Sequence, residues 1–359
     1  MHATEARAEA DRLMTLCNSC RYCEGLCAVF PAMELRRSFA DADLDYLANL
    51  CHSCGACYVD CQFSPPHEFD VNVPRALALV RGESYATWAW PAPLSGLFAR
   101  NGLAVSMVLA ASVAAFAYGF GSSPEFAEAA TGAGAFYRIM PHTVMALVFG
   151  IAFLYAIAAL IMSVRNFWRG IGDSTAAGGS LWQAIKDAAT LRYLDGGGAG
   201  CTDNEDGPKD LRRHYHHATF YGFLLCFAAT CVGTLWHYLL GREAPYPWYD
   251  LPVVLGTLGG IGLTVGPLGL LAARLWREER LKVMRHAGMD TGFLLMLLLT
   301  AVTGLLLLVL RGTAVMNGLL AVHLGVVFAL FVTLPYGKFV HGLYRFAALV
   351  RYAQERREH

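Results

Sequence analysis

Eight of the chain's eleven cysteines lie between Cys17 and Cys61, in two runs of one design. The first is Cys17-x-x-Cys20-x-x-Cys23-x-x-x-Cys27 with Pro31 after it; the second is Cys51-x-x-Cys54-x-x-Cys57-x-x-x-Cys61 with Pro65 and Pro66 after it. A cubane needs four thiolates around it: three closely spaced cysteines take three iron corners, and the fourth comes from the other run. The spacing therefore predicts two [4Fe–4S] clusters, one on Cys17, Cys20, Cys23 and Cys61, the other on Cys51, Cys54, Cys57 and Cys27. Structural zinc uses four ligands, usually in two pairs, and this doubled pattern exceeds that need. Disulfides would call for an oxidising compartment, yet the polar start of the chain has no apolar segment ahead of the cysteines. Arg36-Arg37-Ser38-Phe39, which looks like part of an export signal, has none behind it either. Cys201, Cys226 and Cys231 lack the spacing of a site and read as free thiols. His52 and His67 read as surface or supporting residues, since the eight thiolates complete the ligand sets.

Histidines offer a second chemistry. They fall near the ends of long uncharged stretches, where an ionisable group is costly and usually functional. His214, His216, His217, His286 and His341 belong to one level, and His142, His237 and His323 to the other. Two such layers are what two b haems stacked across a membrane require. At about 100° and about 1.5 Å per residue, the step from His323 to His341 returns to one helical face and climbs about 27 Å. From His237, His216 lies within about 60° of the same face and His217 about 200° away. The axial pairs expected are His216 with His341 and His237 with His323, with His217, His286 and His142 as substitutes. Any one interfacial histidine taken alone reads as a polar anchor.

The elements that must position these residues follow from composition. Of 359 residues, 56% are hydrophobic and 16% charged, too apolar for an ordinary soluble enzyme. A net charge of zero excludes the basic excess of a nucleic-acid binder. The uncharged stretches predict six transmembrane helices over about 101–124, 139–164, 214–241, 251–273, 291–310 and 312–341, each near the ~20 residues a bilayer needs. The segments on the side of the cysteine domain carry seventeen Lys and Arg, against Arg138, Arg242 and Arg311 on the other. By the positive-inside rule the cysteine domain and both termini are cytoplasmic. Gly196 to Gly200 fits no nucleotide-binding pattern and reads as a flexible linker. The glycines of the fourth span (Gly256, Gly259, Gly260, Gly262, Gly266, Gly269) read as a packing face, with a floor for a flat cofactor as the other reading.

The fold class expected is all-α, with a two-cluster ferredoxin domain over 1–90 and a six-helix transmembrane bundle over 91–359. The first domain resembles the α-helical ferredoxin module of succinate dehydrogenase, anaerobic glycerol-3-phosphate dehydrogenase and heterodisulfide reductase. The fusion, with CNSCRYCEGLCAVFPA at 17–32 and YLANLCHSCGACYVDCQFSPPHEFDVNVPRALA at 46–78, resembles the tricarballylate (citrate) utilisation protein B family. The membrane half also resembles the gamma subunit of respiratory nitrate reductase, whose last helix carries a pair spaced like His323 and His341. That family's other pair is closer than His216 and His237, a departure that leaves the haem count at one or two.

The resemblance implies a bacterial cytoplasmic (inner) membrane protein whose partner is a soluble FAD-dependent flavoprotein that oxidises tricarballylate to cis-aconitate. Electrons would pass through two [4Fe–4S] clusters and b haem to membrane quinone. The chain has no nucleophile–base pair, nucleotide loop or flavin fingerprint, so oxidation of the organic substrate belongs elsewhere; the chain reads as an electron-transfer component, with quinone reduction as the reaction it could itself carry. The competing reading is a membrane subunit of a heterodisulfide- or nitrate-reductase-like complex that runs from quinol to a soluble reductase. A membrane-anchored sensor would need an output domain, and a transporter would need carboxylates within the spans.

Overall fold

The computed structural model describes residues 2–122, 124–129, 131–172, 178–202 and 209–358. Among them the chain is helical, with one isolated backbone bridge between Cys201 and Lys209. Five helices build the cysteine-bearing end: α1 (Glu5–Cys20), α2 (Val29–Glu34), α3 (Asp41–Leu50), α4 (Ala56–Val59) and α5 (Val73–Thr87). Thr4 caps α1 by accepting the Arg7 N–H at 3.3 Å, and Asn72 caps α5 by accepting that of Arg75 at 3.1 Å. Pro74 sits in the first turn of α5, where a missing N–H costs no hydrogen bond. Helices α1, α3 and α5 pack together and fully bury Leu13, Met14, Leu44, Leu47, Leu77 and Val80. Each such side chain contributes roughly 1.5–3 kcal/mol.

Nine more helices follow: α6 (Asn101–Gly121), α7 (Ala135–Ile139), α8 (His142–Gly170), α9 (Gly178–Ala189), α10 (Leu211–Leu240), α11 (Leu251–Trp276), α12 (Ala287–Leu310), α13 (Val315–Thr333) and α14 (Val340–Glu358). All but α7, α9 and α14 are long and apolar enough to cross a membrane, so the six expected spans are present. α13 is the central one, with half of its most apolar window buried, against 6% for α10 at the rim. α13 packs on α6, α8 and α12, while α10 lies along α11. Leu147, Ile151 and Leu154 on α8, and Leu258, Ile261 and Val265 on α11, point outwards, an apolar surface of the kind lipid covers.

The glycines of α11 pack on neighbouring helices rather than forming a cofactor floor. A Cβ on Gly259 would lie 2.7 Å from the Cys226 backbone nitrogen of α10, and one on Gly262 would lie 2.8 Å from the Ala218 carbonyl. Gly260 faces the other way, onto Leu305 of α12. Pro267 lies inside an α11 that runs unbroken.

Two expectations change. The single helix expected over 312–341 is instead α13, a 3-10 turn over Leu334–Tyr336, and α14. Pro335 sits in that turn, where its ring and missing N–H end the helix. α14 packs on α3, α8 and α9, so the end of the chain clasps the cysteine domain. There Arg36 pairs with Glu355 at 2.5 Å, Tyr46 donates to the same carboxylate at 2.8 Å, and Phe167 stacks on Tyr344 at 4.7 Å.

The glycine run is not a loose tether either. Gly197, with φ +80°, lies where an added Cβ would stand 3.1 Å from the Leu26 side chain. Gly55, with φ +88°, lets the Thr202 carbonyl come within 2.2 Å of where a Cβ would be. Thr202 N–H donates to the Cys54 carbonyl at 2.8 Å. The segment before α10 is thus seated on the second cysteine run.

Candidate functional site

The eight cysteines sort into two neighbourhoods. Cys17 and Cys20 close α1, Cys23 and Cys27 follow in the loop, Cys51 ends α3, Cys57 lies in α4, and Cys61 follows it. Burial pushes the Cys17 thiol up to about 12, helped by the charges of Cys23, Cys61 and Cys20. Cys23 is pushed up to about 11 by burial, then Cys61, Cys20 and Asp60. Burial drives Cys27 well above the ordinary thiol range, and the charges acting on it are those of Cys54 and Cys51. Cys57 behaves alike, under burial and then Cys54, Cys27 and Cys51, with Cys23 the last and weakest influence. In each neighbourhood one thiol comes from the other run: Cys61 lies near Cys17 and Cys23, and Cys27 near Cys51, Cys54 and Cys57.

The second set also borders a small cavity, lined by Cys27, Cys51, Cys54 and Cys57 with Leu26, His52 and Tyr193 among its other walls. Ser53 N–H donates to Cys51 Sγ at 3.3 Å, a bond of the kind that tunes a cluster sulfur. Among the described residues, no three His, Cys, Asp or Glu side chains close on one point as the ligands of a single ion do. Crowded thiols that resist ionisation in water are deprotonated when they coordinate a metal, whose charge replaces the missing solvent. Four cysteines lining one cavity have the donor chemistry of an iron–sulfur cluster.

The loop around Cys51 is gripped by four arginines from separate elements. Arg81 of α5 donates to the Cys51 carbonyl at 2.6 Å and to Ser53 Oγ at 3.2 Å. Arg345 of α14 donates to the Cys51 carbonyl at 2.9 Å and the Asn49 carbonyl at 3.3 Å. Arg212 of α10 and Arg277 just after α11 each donate to the Ser53 carbonyl at 2.7 Å. His52 is buried between these groups, its Nδ1 3.0 Å from the Leu50 carbonyl. Burial holds this imidazole well below its ordinary pKa, and the charges of Arg345 and His216 add to the effect. His67 is half-exposed, with Phe63 and Phe69 about its ring, and accepts the Phe69 N–H.

His216 and His341 are brought together, with ring centroids 6.0 Å apart and planes at 74°. Two imidazoles bound to one iron through bonds of about 2 Å stand about 6 Å apart between centroids. His341 Nδ1 lies 2.5 Å from the Lys338 carbonyl, the contact that fixes a ligating histidine with Nε2 turned outwards. His216 Nδ1 is buried without a partner. This donor pair fits a haem iron. It is the start of α14, not a continuous last helix, that carries His341 to His216.

The outer pair is arranged differently from the expectation. His237 stacks on His142, one of the substitutes, at 3.5 Å and 18°, beside Tyr137. A stack this tight has no room for an iron between the rings. His323 sits two turns into α13, its Nδ1 2.8 Å from Thr303 Oγ1 of α12 and its ring against Gly304. The facing geometry supposed for His237 and His323 used helix rotation alone, whereas neighbouring helices decide which rings meet. His217 leaves Nε2 buried and unpartnered near Tyr221, and His286 does the same against Gly82. His214 Nδ1 stands 2.8 Å from the Asp210 carbonyl.

The four arginines about Cys51 are neighbours that the sequence did not single out, and His52, read there as a surface or supporting residue, is buried among them. Arg212, Arg277 and Arg345 were visible only among the seventeen Lys and Arg on the side of the cysteine domain, and Arg81 not at all. No spacing rule joins positions 81, 212, 277 and 345; three-dimensional packing does.

Residues 96–359 match the family model described as citrate utilization protein B, and residues 10–87 match that of its Fer4-like domain. The chain is 51% identical over 358 residues to the citrate utilization protein B of Escherichia coli, covering 99% of this chain and 94% of that protein. No solved structure matches. With both family models aligned end to end along the chain, and the identity running through cysteine and membrane halves alike, the chain belongs to the citrate utilization protein B family.

Proposed function

We propose that this protein is a membrane electron conduit that takes electrons from a soluble flavoprotein dehydrogenase acting on tricarballylate and delivers them to quinone. Cys17, Cys20, Cys23 and Cys61 hold one [4Fe–4S] cluster and Cys51, Cys54, Cys57 and Cys27 the other. His216 and His341 hold b haem at the end of the bundle that touches the cysteine domain. The clusters and haem supply one-electron carriers; the chain positions them, excludes water and adjusts their surroundings. The ferredoxin domain and both termini are cytoplasmic in a bacterial inner membrane.

The observation that carries this reading is the alignment of parts. The second thiol set, the buried His52 and the His216–His341 pair follow one another from the cysteine domain into the bundle, and Arg212 of α10 is bonded to the loop that bears Cys51. Among the described residues, His216 and His341 are the one expected axial pair that stands with room for an iron between the rings, since His237 is stacked on His142 instead, so the reading carries one haem.

Anaerobic purification in detergent, with iron, acid-labile sulfide and reduced-minus-oxidised spectra, tests it. Two cubanes and one b-type haem per chain are expected. Iron well below two cubanes, or a reduced spectrum without b-type bands, overturns the corresponding part. Reduction of the haem by quinol but not by a reduced flavoprotein would reverse the direction.

A further inference from the structure

The second thiol set has a charge problem that its own residues do not solve. Four thiolates around a cubane leave a net negative charge, which grows by one on reduction. In a buried site that growth is unfavourable, because low-dielectric surroundings penalise the more charged state. Burial alone would therefore make the enclosed cluster harder to reduce than the outer one, where Cys20 is exposed.

Arg81 and Arg345 carry the opposite imbalance. Arg81 is 8% exposed and Arg345 is half-buried, and among the described residues neither pairs with a carboxylate. They donate to backbone carbonyls of Ala48, Asn49 and Cys51, which are neutral. Asp290, the carboxylate whose surroundings include Arg81, is already bonded to Arg274 at 3.1 Å and Lys338 at 2.8 Å. A buried cation without an anion is costly, and beside Cys51 the missing anion is the cluster. Around the first set the sign is reversed: Asp60 precedes Cys61 in the chain and adds its charge at Cys23.

We propose that Arg81 and Arg345, seconded by Arg212 and Arg277, are the counter-charge of the cluster on Cys27, Cys51, Cys54 and Cys57 and hold its potential above that of the cluster on Cys17, Cys20, Cys23 and Cys61. The inference rests on the conduit reading above and gives it a direction. One electron leaves the exposed first cluster, which is oxidised, and enters the second, which is reduced. No bond is made or broken and no proton moves. A reduced soluble flavin donor feeds the first cluster, and the haem at His216 and His341 draws from the second. Three of the four arginines belong to the membrane half, so the step downhill exists only when the ferredoxin domain is docked on its bundle.

The test is an EPR-monitored redox titration of the full-length protein in nanodiscs, comparing the unaltered chain with Arg345→Gln, Arg345→Lys and Arg277→Gln. Arg345→Gln should make the second cluster about tenfold harder to reduce, a fall of about 59 mV for a one-electron couple, and leave the first unmoved. Arg345→Lys should retain most of the unaltered value. Arg277→Gln, which removes a charge that donates to the Ser53 carbonyl, should shift the same cluster the same way and serves if Arg345→Gln does not assemble. Midpoints that stay fixed, that shift equally in both clusters, or that place the second cluster below the first in the unaltered protein overturn the proposal. So does loss of the second cluster in every variant, lysine included, which would make the arginines anchors. Fewer than two clusters in the unaltered protein instead overturns the conduit reading itself.

Discussion

The imidazoles of His216 and His341 stand 6.0 Å apart between ring centroids although one belongs to α10 and the other to α14, beyond the break that ends α13. Their partners differ, since His341 is fixed by the Lys338 carbonyl whereas His216 Nδ1 is buried without one. If they share an iron, removing either removes the same centre. His216→Ala and His341→Ala should each abolish most of the b-type absorbance, and the double variant should lose no more than either single one. His237→Ala should keep it, because its ring is stacked on His142. Haem-to-protein ratios of the four proteins check this, and retention of full haem by both single variants would refute the pairing.

The two thiol sets differ in access, and that difference orders their loss. Cys20 is exposed and Cys17, Cys23 and Cys61 are half-buried, whereas Cys51 is buried and Gly197 and Thr202 pack against Leu26 and Gly55 in the walls of the cavity it lines. A ferric chelator or brief exposure to air should strip the first cluster several-fold faster than the second, as followed by EPR. The crossed ligands make a second arm of the same experiment. Cys61→Ser should erase the fast-lost signal and Cys27→Ser the slow one; the opposite pattern would favour ligand sets drawn from single runs.

Much of this architecture was legible in the chain, for physical reasons that also mark where legibility ends. The grouping of the thiols into two neighbourhoods was legible from spacing, because short steps between cysteines keep them close in space. The six spans follow from length and hydropathy, because a bilayer admits few alternatives. His341 was found as a ligand candidate through a helical register that does not exist, since Pro335 ends α13 before it. The neighbour of His237 was misjudged because rotation about one helix says nothing of which other helix packs there. The glycine run looked like a tether because composition reports backbone freedom and not the surface, here Leu26 and Ala56, on which that freedom is used. The arginine cluster joins residues as far apart as 81 and 345 and had no local signature.

Arg7 and Asp45 form an ion pair of 3.0 Å inside the ferredoxin core, with side chains 6% and 2% exposed, and Trp88 Nε1 donates to the same carboxylate at 2.9 Å. Removing Asp45 leaves the buried Arg7 charge with only the more distant Glu83, 4.0 Å away, to offset it. Asp45→Ala should destabilise the domain by about 3–5 kcal/mol, whereas replacing both charges by apolar residues of similar volume, Arg7→Met with Asp45→Leu, should recover most of that. Denaturant unfolding of the full protein in detergent, read through cluster absorbance, separates the two. A double variant as weak as Asp45→Ala would mean that Trp88 and its neighbours, rather than the uncompensated charge, set the cost.

The seam between α10 and α11 tolerates side chains at some glycines and not at others, which gives a test free of any cofactor. A Cβ on Gly259 would meet the Cys226 nitrogen and sulfur at 2.7 Å, and backbone cannot be moved aside cheaply. On Gly256, one turn earlier on the same helix, the nearest atom would be the Ala229 Cβ at 3.7 Å, an ordinary contact. Both changes to alanine raise helix propensity equally, by roughly 1 kcal/mol in isolation. Gly256→Ala should therefore be neutral or slightly stabilising. Gly259→Ala should cost on the order of 1–3 kcal/mol by forcing the helices apart. Thermal unfolding in detergent resolves that difference. Because α10 carries His216, the spread should reach the histidine pair as well, so Gly259→Ala should weaken haem retention while Gly256→Ala leaves it intact. Equal melting temperatures for the two variants would show that α10 and α11 are not in close backbone contact, and the position of His216 opposite His341 would lose its support.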